Sequence, residues 1–184
     1  MKIYSVFLIT TIFVAVVYAK GRIALTVQRV ICDIQDPTAI EIELCSVKAI
    51  NRSTTLMNII GNYTRPMHSF MINSQLFKKS EIKYRPFLVN VTDDYCDFMS
   101  KNKGGAYLKI VWPIIVDYTN MNHPCPYYGY HYIKNLPVDE DKIPAVWPSG
   151  LFLLDVLFYE QNGTKINKIL LSHVYFEIKQ RAIF

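Results

Sequence analysis

Apolar and polar residues alternate with a period of two over much of the chain. Ile40, Ile42 and Leu44 interleave with Glu41 and Glu43, the pattern of a strand with one wet face and one buried face. Phe70, Ile72 and Leu76 repeat the alternation on a later strand. Residues 151–159 and 166–179, rich in β-branched and aromatic side chains, flank Gln161-Asn162-Gly163-Thr164 and predict a β-hairpin closed by a two-residue turn. Its register sets Ile169 beside Val156 and Leu171 beside Leu154, with Phe152, Leu154, Val156 and Phe158 along one face. About seven or eight such strands, with turn signals between them, predict an all-β fold: a two-sheet antiparallel β-sandwich of the immunoglobulin-like kind.

One region breaks the period. Asp93, Asp94 and Asp97 suit the N-terminal end of a helix dipole, and Tyr107, Leu108, Val111 and Ile115 have helical spacing, but Pro113 interrupts that run. The pattern allows a short helix ending near Lys109, an irregular strand or one continuous helix. Residues 137–148 hold three prolines and the acidic cluster Asp139-Glu140-Asp141, and read as a loop.

Lys2 precedes an uncharged run over residues 3–19, with small residues Val17 and Ala19 at the −3 and −1 positions of a signal-peptidase site. Residues 1–19 therefore read as a signal peptide and 20–184 as one secreted β-sandwich domain. The rival reading, a retained anchor, needs roughly 18 or more apolar residues and would not end in a usable cleavage site. With no second run of that length, no stable membrane span is expected after cleavage.

That compartment gives the cysteines and asparagines their meaning. Cys32, Cys45, Cys96 and Cys125 make an even count that an oxidising environment converts to bridges. Cys32 and Cys45 flank the polar turn Asp36-Pro37-Thr38, so a hairpin centred there sets them side by side on neighbouring strands and leaves Cys96 for Cys125. Loops of this size are worth roughly 3 to 4 kcal/mol each when closed. Four sequons, at Asn51, Asn62, Asn90 and Asn162, exceed the roughly one expected by chance and predict solvent-facing glycans. The net charge of +5 is scattered, without the stripe or block that a nucleic-acid partner would need.

Catalytic chemistry finds little support. There is no Gly-x-Ser-x-Gly elbow, and Ser149 before Gly150 has the wrong neighbours. His123, Cys125 and His131 suggest metal ligands at first sight, but Cys125 is needed for the even cysteine count and no Cys-x-x-Cys pair exists. His123 reads instead as a hydrogen-bonding loop residue. The aspartates around Cys96 lack the ligand spacing and glycine of a calcium loop. No enzyme activity, metal or cofactor is expected. Alternation sends Ile42, Leu44, Phe70, Ile72, Phe87, Leu154 and Val156 to buried faces, and if the sheets part around an apolar ligand these residues line the pocket, with Trp112 near its mouth.

Three stretches carry a family resemblance: Leu44-Cys45-Ser46-Val47-Lys48-Ala49-Ile50-Asn51-Arg52, then Tyr84-Arg85-Pro86-Phe87-Leu88-Val89-Asn90-Val91-Thr92-Asp93-Asp94-Tyr95-Cys96, then Asn120-Met121-Asn122-His123-Pro124-Cys125-Pro126-Tyr127. Together with Pro148-Ser149-Gly150 before the final hairpin, they resemble a large insect family of secreted proteins built on one domain of unknown function. Met121 and Pro124 depart from its pattern. The resemblance implies a distant relation to the lipid-recognition superfamily of the ganglioside activator and of insect gustatory-bristle chemosensory proteins, whose β-sandwich opens between its sheets to hold an acyl chain. The function expected is an extracellular, non-enzymatic binding protein carrying a lipid or hydrophobic semiochemical. The alternative is a glycosylated interaction module with a filled core that binds a receptor or another extracellular protein.

Overall fold

The structure, a computed structural model, describes residues 22–51, 54–101, 105–137 and 147–181. The leader and the acidic cluster at 139–141 lie outside the described residues. Eight strands are described: β1 (Arg22–Ile34), β2 (Ile40–Ala49), β3 (Thr55–Met67), β4 (Met71–Lys79), β5 (Tyr84–Asp94), β6 (Tyr127–Pro137), β7 (Gly150–Asn162) and β8 (Lys165–Arg181). Between β5 and β6 come helix α1 (Tyr95–Lys101), helix α2 (Ala106–Ile115) and a 3-10 turn (Val116–Tyr118). The strands form two antiparallel sheets, one in the order β1-β8-β7-β4-β5 and one in the order β2-β3-β6. The chain is thus the all-β sandwich that alternation predicts, with two short helices in place of one.

The helices form where the acidic and helical signals overlap. Asp94 Oδ1 accepts the Asp97 backbone N–H at 2.9 Å, an N-terminal cap, and Lys101 closes an i,i+4 pair with Asp97 at 2.8 Å. α2 continues through Pro113 to Ile115. The proline falls in the last turns, and both it and Lys109, whose carbonyl loses its donor there, lie on the exposed side, so the lost bond is cheap compared with the apolar stripe the helix buries.

Two sequence expectations need correction. β1 and β2 do not form a hairpin. β1 pairs with β8 and β2 with β3, so residues 35–39 carry the chain from one sheet to the other. The Asp36 carboxylate organises that crossing, accepting the Thr38 N–H at 3.0 Å and the Thr38 hydroxyl at 2.6 Å. Cys32 is bonded to Cys45, and Cys96 to Cys125, the pairing expected, but the first bridge ties the two layers together instead of neighbouring strands. A Cα separation of 6.1 Å suits either arrangement.

The second correction is the register of the β7–β8 hairpin. The turn is Gly163-Thr164, with Asn162 opposite Lys165, and Gly163 takes φ 60 at the first central position of a Gly-x loop. A bulge between Phe158 and Tyr159 adds one more step, so Leu154 faces Val174 and Val156 faces Ser172. Phe152, Leu154, Val156 and Phe158 still share one face. Phe152 packs with Leu25, Leu76 and Ile178 in one cluster, while Phe158 packs on Phe70 in the other, which also holds Tyr95, Tyr127 and Ile169.

Asp36 also accepts from Asn167 Nδ2 at 2.9 Å and lies 3.6 Å from Arg65, which reaches Glu160 at 2.7 Å. These hydrogen bonds from Thr38 and Asn167, with Arg65 beside them, hold the carboxyl down at about 2. A carboxyl depressed in the folded state stabilises above its unfolded value near 3.8 and loses that contribution as pH falls toward 2. Asp36→Asn is therefore expected to cost on the order of 1 kcal/mol at neutral pH, discounted for solvent screening, with the difference closing as pH falls from about 4 through about 2. Urea titrations across that range check it; a constant gap would place the effect elsewhere.

Candidate functional site

Beside the Phe70 cluster, the two sheets and α2 bound a partly open cavity of about 210 Å³. Its floor follows from cross-strand rows of the five-stranded sheet. Ser74, Val156 and Ser172 face one another across β4, β7 and β8, flanked by the larger rows Ile72–Phe158–Leu170 and Leu76–Leu154–Val174. Three short side chains in the middle of a floor of long ones leave a hollow. The roof has its own small residue in Gly61 of β3, where a Cβ would sit 3.0 Å from the Glu41 carbonyl and 3.1 Å from Ile42 Cδ1, so glycine lets β2 and β3 lie close.

Ile42, Met57, Ile59, Tyr63, His131 and Ile133 complete the roof, and Tyr107, Leu108, Val111, Trp112 and Ile115 of α2 form a side wall. That wall is the helical stripe legible in the sequence, while Lys109 and Ile110 face outward, Ile110 at 69% exposure. α2 is set by a close contact at its start. The Asp93 carboxylate, only 5% exposed, occupies the place a Cβ on Gly105 would need, 1.6 Å from that position. A carboxylate there also suits the helix N-terminus.

Among the described residues no Lys, Arg, Asp or Glu lines the cavity. Several of its polar groups are already engaged: Thr119 Oγ1 donates to the Tyr132 carbonyl at 2.7 Å, and the Tyr95 hydroxyl to the Met121 carbonyl at 3.2 Å. Burial pushes the Tyr63, Tyr95 and Tyr107 hydroxyls up and Tyr127 up to about 12, so all remain protonated. Burial pushes His131 down, toward the neutral ring.

Of the residues expected around a pocket, Ile42, Phe70, Ile72, Trp112, Leu154 and Val156 border this cavity. Leu44 does not. Glu43 is an extra residue between the pairs Ile42–Gly61 and Leu44–Ile60, a bulge that turns Leu44 to the outer face at 40% exposure. Phe87 packs instead on Phe152 and Trp147, at ring separations of 5.7 and 6.5 Å. In β5 three residues stand against Leu76 alone, with Leu88 at φ 56, and the alternation shifts there. Trp112 stands in the side wall, edge-on to Tyr95 and Phe98.

The sequence reading missed the β3 and β6 contributions. Met57, Ile59, Gly61 and Tyr63 do alternate, but Leu56 and Ile60 on the opposite face are apolar too, so periodicity alone could not choose the inner side. The stronger signal was Ser172 inside the apolar run 169–176.

Asn51, Asn90 and Asn162 are exposed. Asn62 is half-buried in mid-strand, on the face of β3 opposite Gly61 and Tyr63. His123 Nδ1 lies 2.8 Å from the Pro124 carbonyl, and Cys125 is held in its disulfide.

Residues 72–154 match the family model described as protein of unknown function (DUF1091). The match runs from β4 through both helices and β6 into β7, so it includes Ile72, Trp112, His131 and Leu154 of the cavity wall. No curated protein matches the chain. Among the described residues no helix is long and apolar enough to cross a membrane.

Proposed function

We propose that the protein is a secreted, N-glycosylated, non-enzymatic carrier of a small single-chain lipid or hydrophobic semiochemical held between its two sheets. The observation that carries this reading is the uncharged cavity of about 210 Å³ bounded by Leu154, Val156, Ile59 and the α2 stripe. Its size sets the cargo. An apolar cavity of about 150 Å³ admits benzene, and pockets for drug-sized molecules begin near 300 Å³. One short chain fits this range and a multi-acyl glycolipid does not. The leader, the four sequons and the two disulfides support secretion. The resemblance to a secreted insect family and to lipid-recognition sandwiches supports the same role.

Burying about 250 Å² of ligand is worth roughly 6 kcal/mol before the costs of association. Micromolar affinity needs about 8 kcal/mol. The carrier is thus expected to bind weakly unless a polar contact adds to burial. Native mass spectrometry of the glycoprotein secreted from insect cells should show a co-purified small molecule, and a fluorescent fatty probe should bind saturably and be displaced by single-chain lipids. Absence of both would remove the carrier reading in favour of an interaction module.

A further inference from the structure

We infer that Tyr63 and His131 form a polar anchor in the cavity roof that selects a neutral, hydroxyl-bearing ligand over a carboxylate or a bare hydrocarbon. The inference rests on the carrier reading and adds the chemistry of the ligand head.

The two residues come together through strand pairing. Gly61 lies opposite His131 and Tyr63 opposite Gly129 across β3 and β6, which sets the two rings 5.4 Å apart. Both border the cavity, and both are more than nine-tenths buried, at 5% and 6% exposure. His131 Nδ1 lies 3.1 Å from the Gly129 carbonyl. A carbonyl only accepts, so Nδ1 carries the proton and Nε2 is left as an acceptor. The ring stays neutral because burial and the neighbouring His123 both disfavour its charge.

The Tyr63 hydroxyl has no hydrogen-bond partner among the described residues, and neither has His131 Nε2. The sealed side-chain polar atoms without a partner are instead Thr55 Oγ1 and Trp147 Nε1. Both side chains border the cavity, and a ligand held there would meet Tyr63 Oη and His131 Nε2 as its polar contacts. The serine hydroxyls of the floor have local partners, Ser74 in Tyr107 and Ser172 in Cys32 Sγ at 4.0 Å.

One donor beside one acceptor matches an alcohol, which can accept from Tyr63 and donate to His131 at once. An ether or carbonyl can use only Tyr63. A carboxylate would find no cation among the described lining residues and would meet a lone pair at Nε2, which is costly. The expected order is alcohol, then ether, then carboxylate.

Displacement of a neutral fluorescent probe from the intact glycoprotein by 1-decanol, decyl methyl ether and decanoate at pH 8 tests this. Decanol should displace at roughly tenfold lower concentration than the ether, the equivalent of one hydrogen bond. Tyr63→Phe should weaken decanol and ether alike, and His131→Leu should remove the preference for decanol over ether while leaving the ether unchanged. Thermal melts identify any variant that has not folded, and for His131→Leu the more conservative His131→Gln, which keeps an acceptor, should restore part of the preference. Equal displacement by all three ligands overturns the anchor and leaves the carrier standing. No uptake of the probe at all overturns both.

Discussion

Replacing Phe70 with alanine is expected to lower the free energy of unfolding by about 3–5 kcal/mol, a large share of the 5–15 kcal/mol typical of a domain. The ring is fully buried and lies 5.5 to 5.8 Å from Tyr63, Tyr95, Tyr127 and Phe158. Those partners belong to β3, α1, β6 and β7, so one side chain joins both sheets and the first helix. Its carbonyl also accepts the Tyr95 N–H at 2.9 Å. Since Phe70 borders the cavity as well, truncation adds to an existing void that the backbone cannot close, which places the cost at the upper end of the range. Phe70→Leu, keeping most of the volume, should cost less than half as much. Urea unfolding with an unchanged slope is the measurement. A loss under about 1 kcal/mol for alanine would mean that the aromatic cluster is not the core it is taken for.

The sandwich itself was legible because a strand with one buried face must alternate, and the sequence alternates. The cysteine pairing was legible as well, though through a hairpin that does not exist: proximity of Cys32 and Cys45 is demanded equally by a turn within a sheet and by a crossing between sheets. Register was the weak point. In Gln161-Asn162-Gly163-Thr164 both Asn-Gly and Gly-Thr can close a two-residue loop, and choosing the wrong pair moves every cross-strand contact by two. Bulges were the other. Nothing in Ile40-Glu41-Ile42-Glu43-Leu44 signals that Glu43 is extra, so the cleanest alternation in the chain sent Leu44 to the wrong side.

The cavity was half visible for a different reason. Large inward residues such as Leu154 and Phe70 are found by alternation, but a void is made by the small ones, and Ser74, Ser172 and Gly61 attract no attention in a pattern scored by hydrophobicity. They become informative only once the rows are known. Tyr63 and His131 were missed because their meeting depends on the pairing of β3 with β6, which are far apart in the chain.

Those small residues give the last expected result. Val156→Phe should abolish probe binding, with a loss of more than tenfold, while changing stability by less than about 1 kcal/mol. Val156 is half-buried at the centre of the floor, between Ser74 and Ser172, so the added ring enters the hollow instead of displacing packed neighbours. The same enlargement in a filled region behaves otherwise. Ile178, 1% exposed and packed with Leu25, Leu76 and Phe152, has no such space, and Ile178→Phe should cost about 1–3 kcal/mol by overpacking. The pair of variants separates the two readings of the core through opposite pairs of outcomes. If Val156→Phe destabilises as much as Ile178→Phe, the hollow is closed in solution. If it leaves both stability and probe uptake untouched, the ligand does not enter between the sheets.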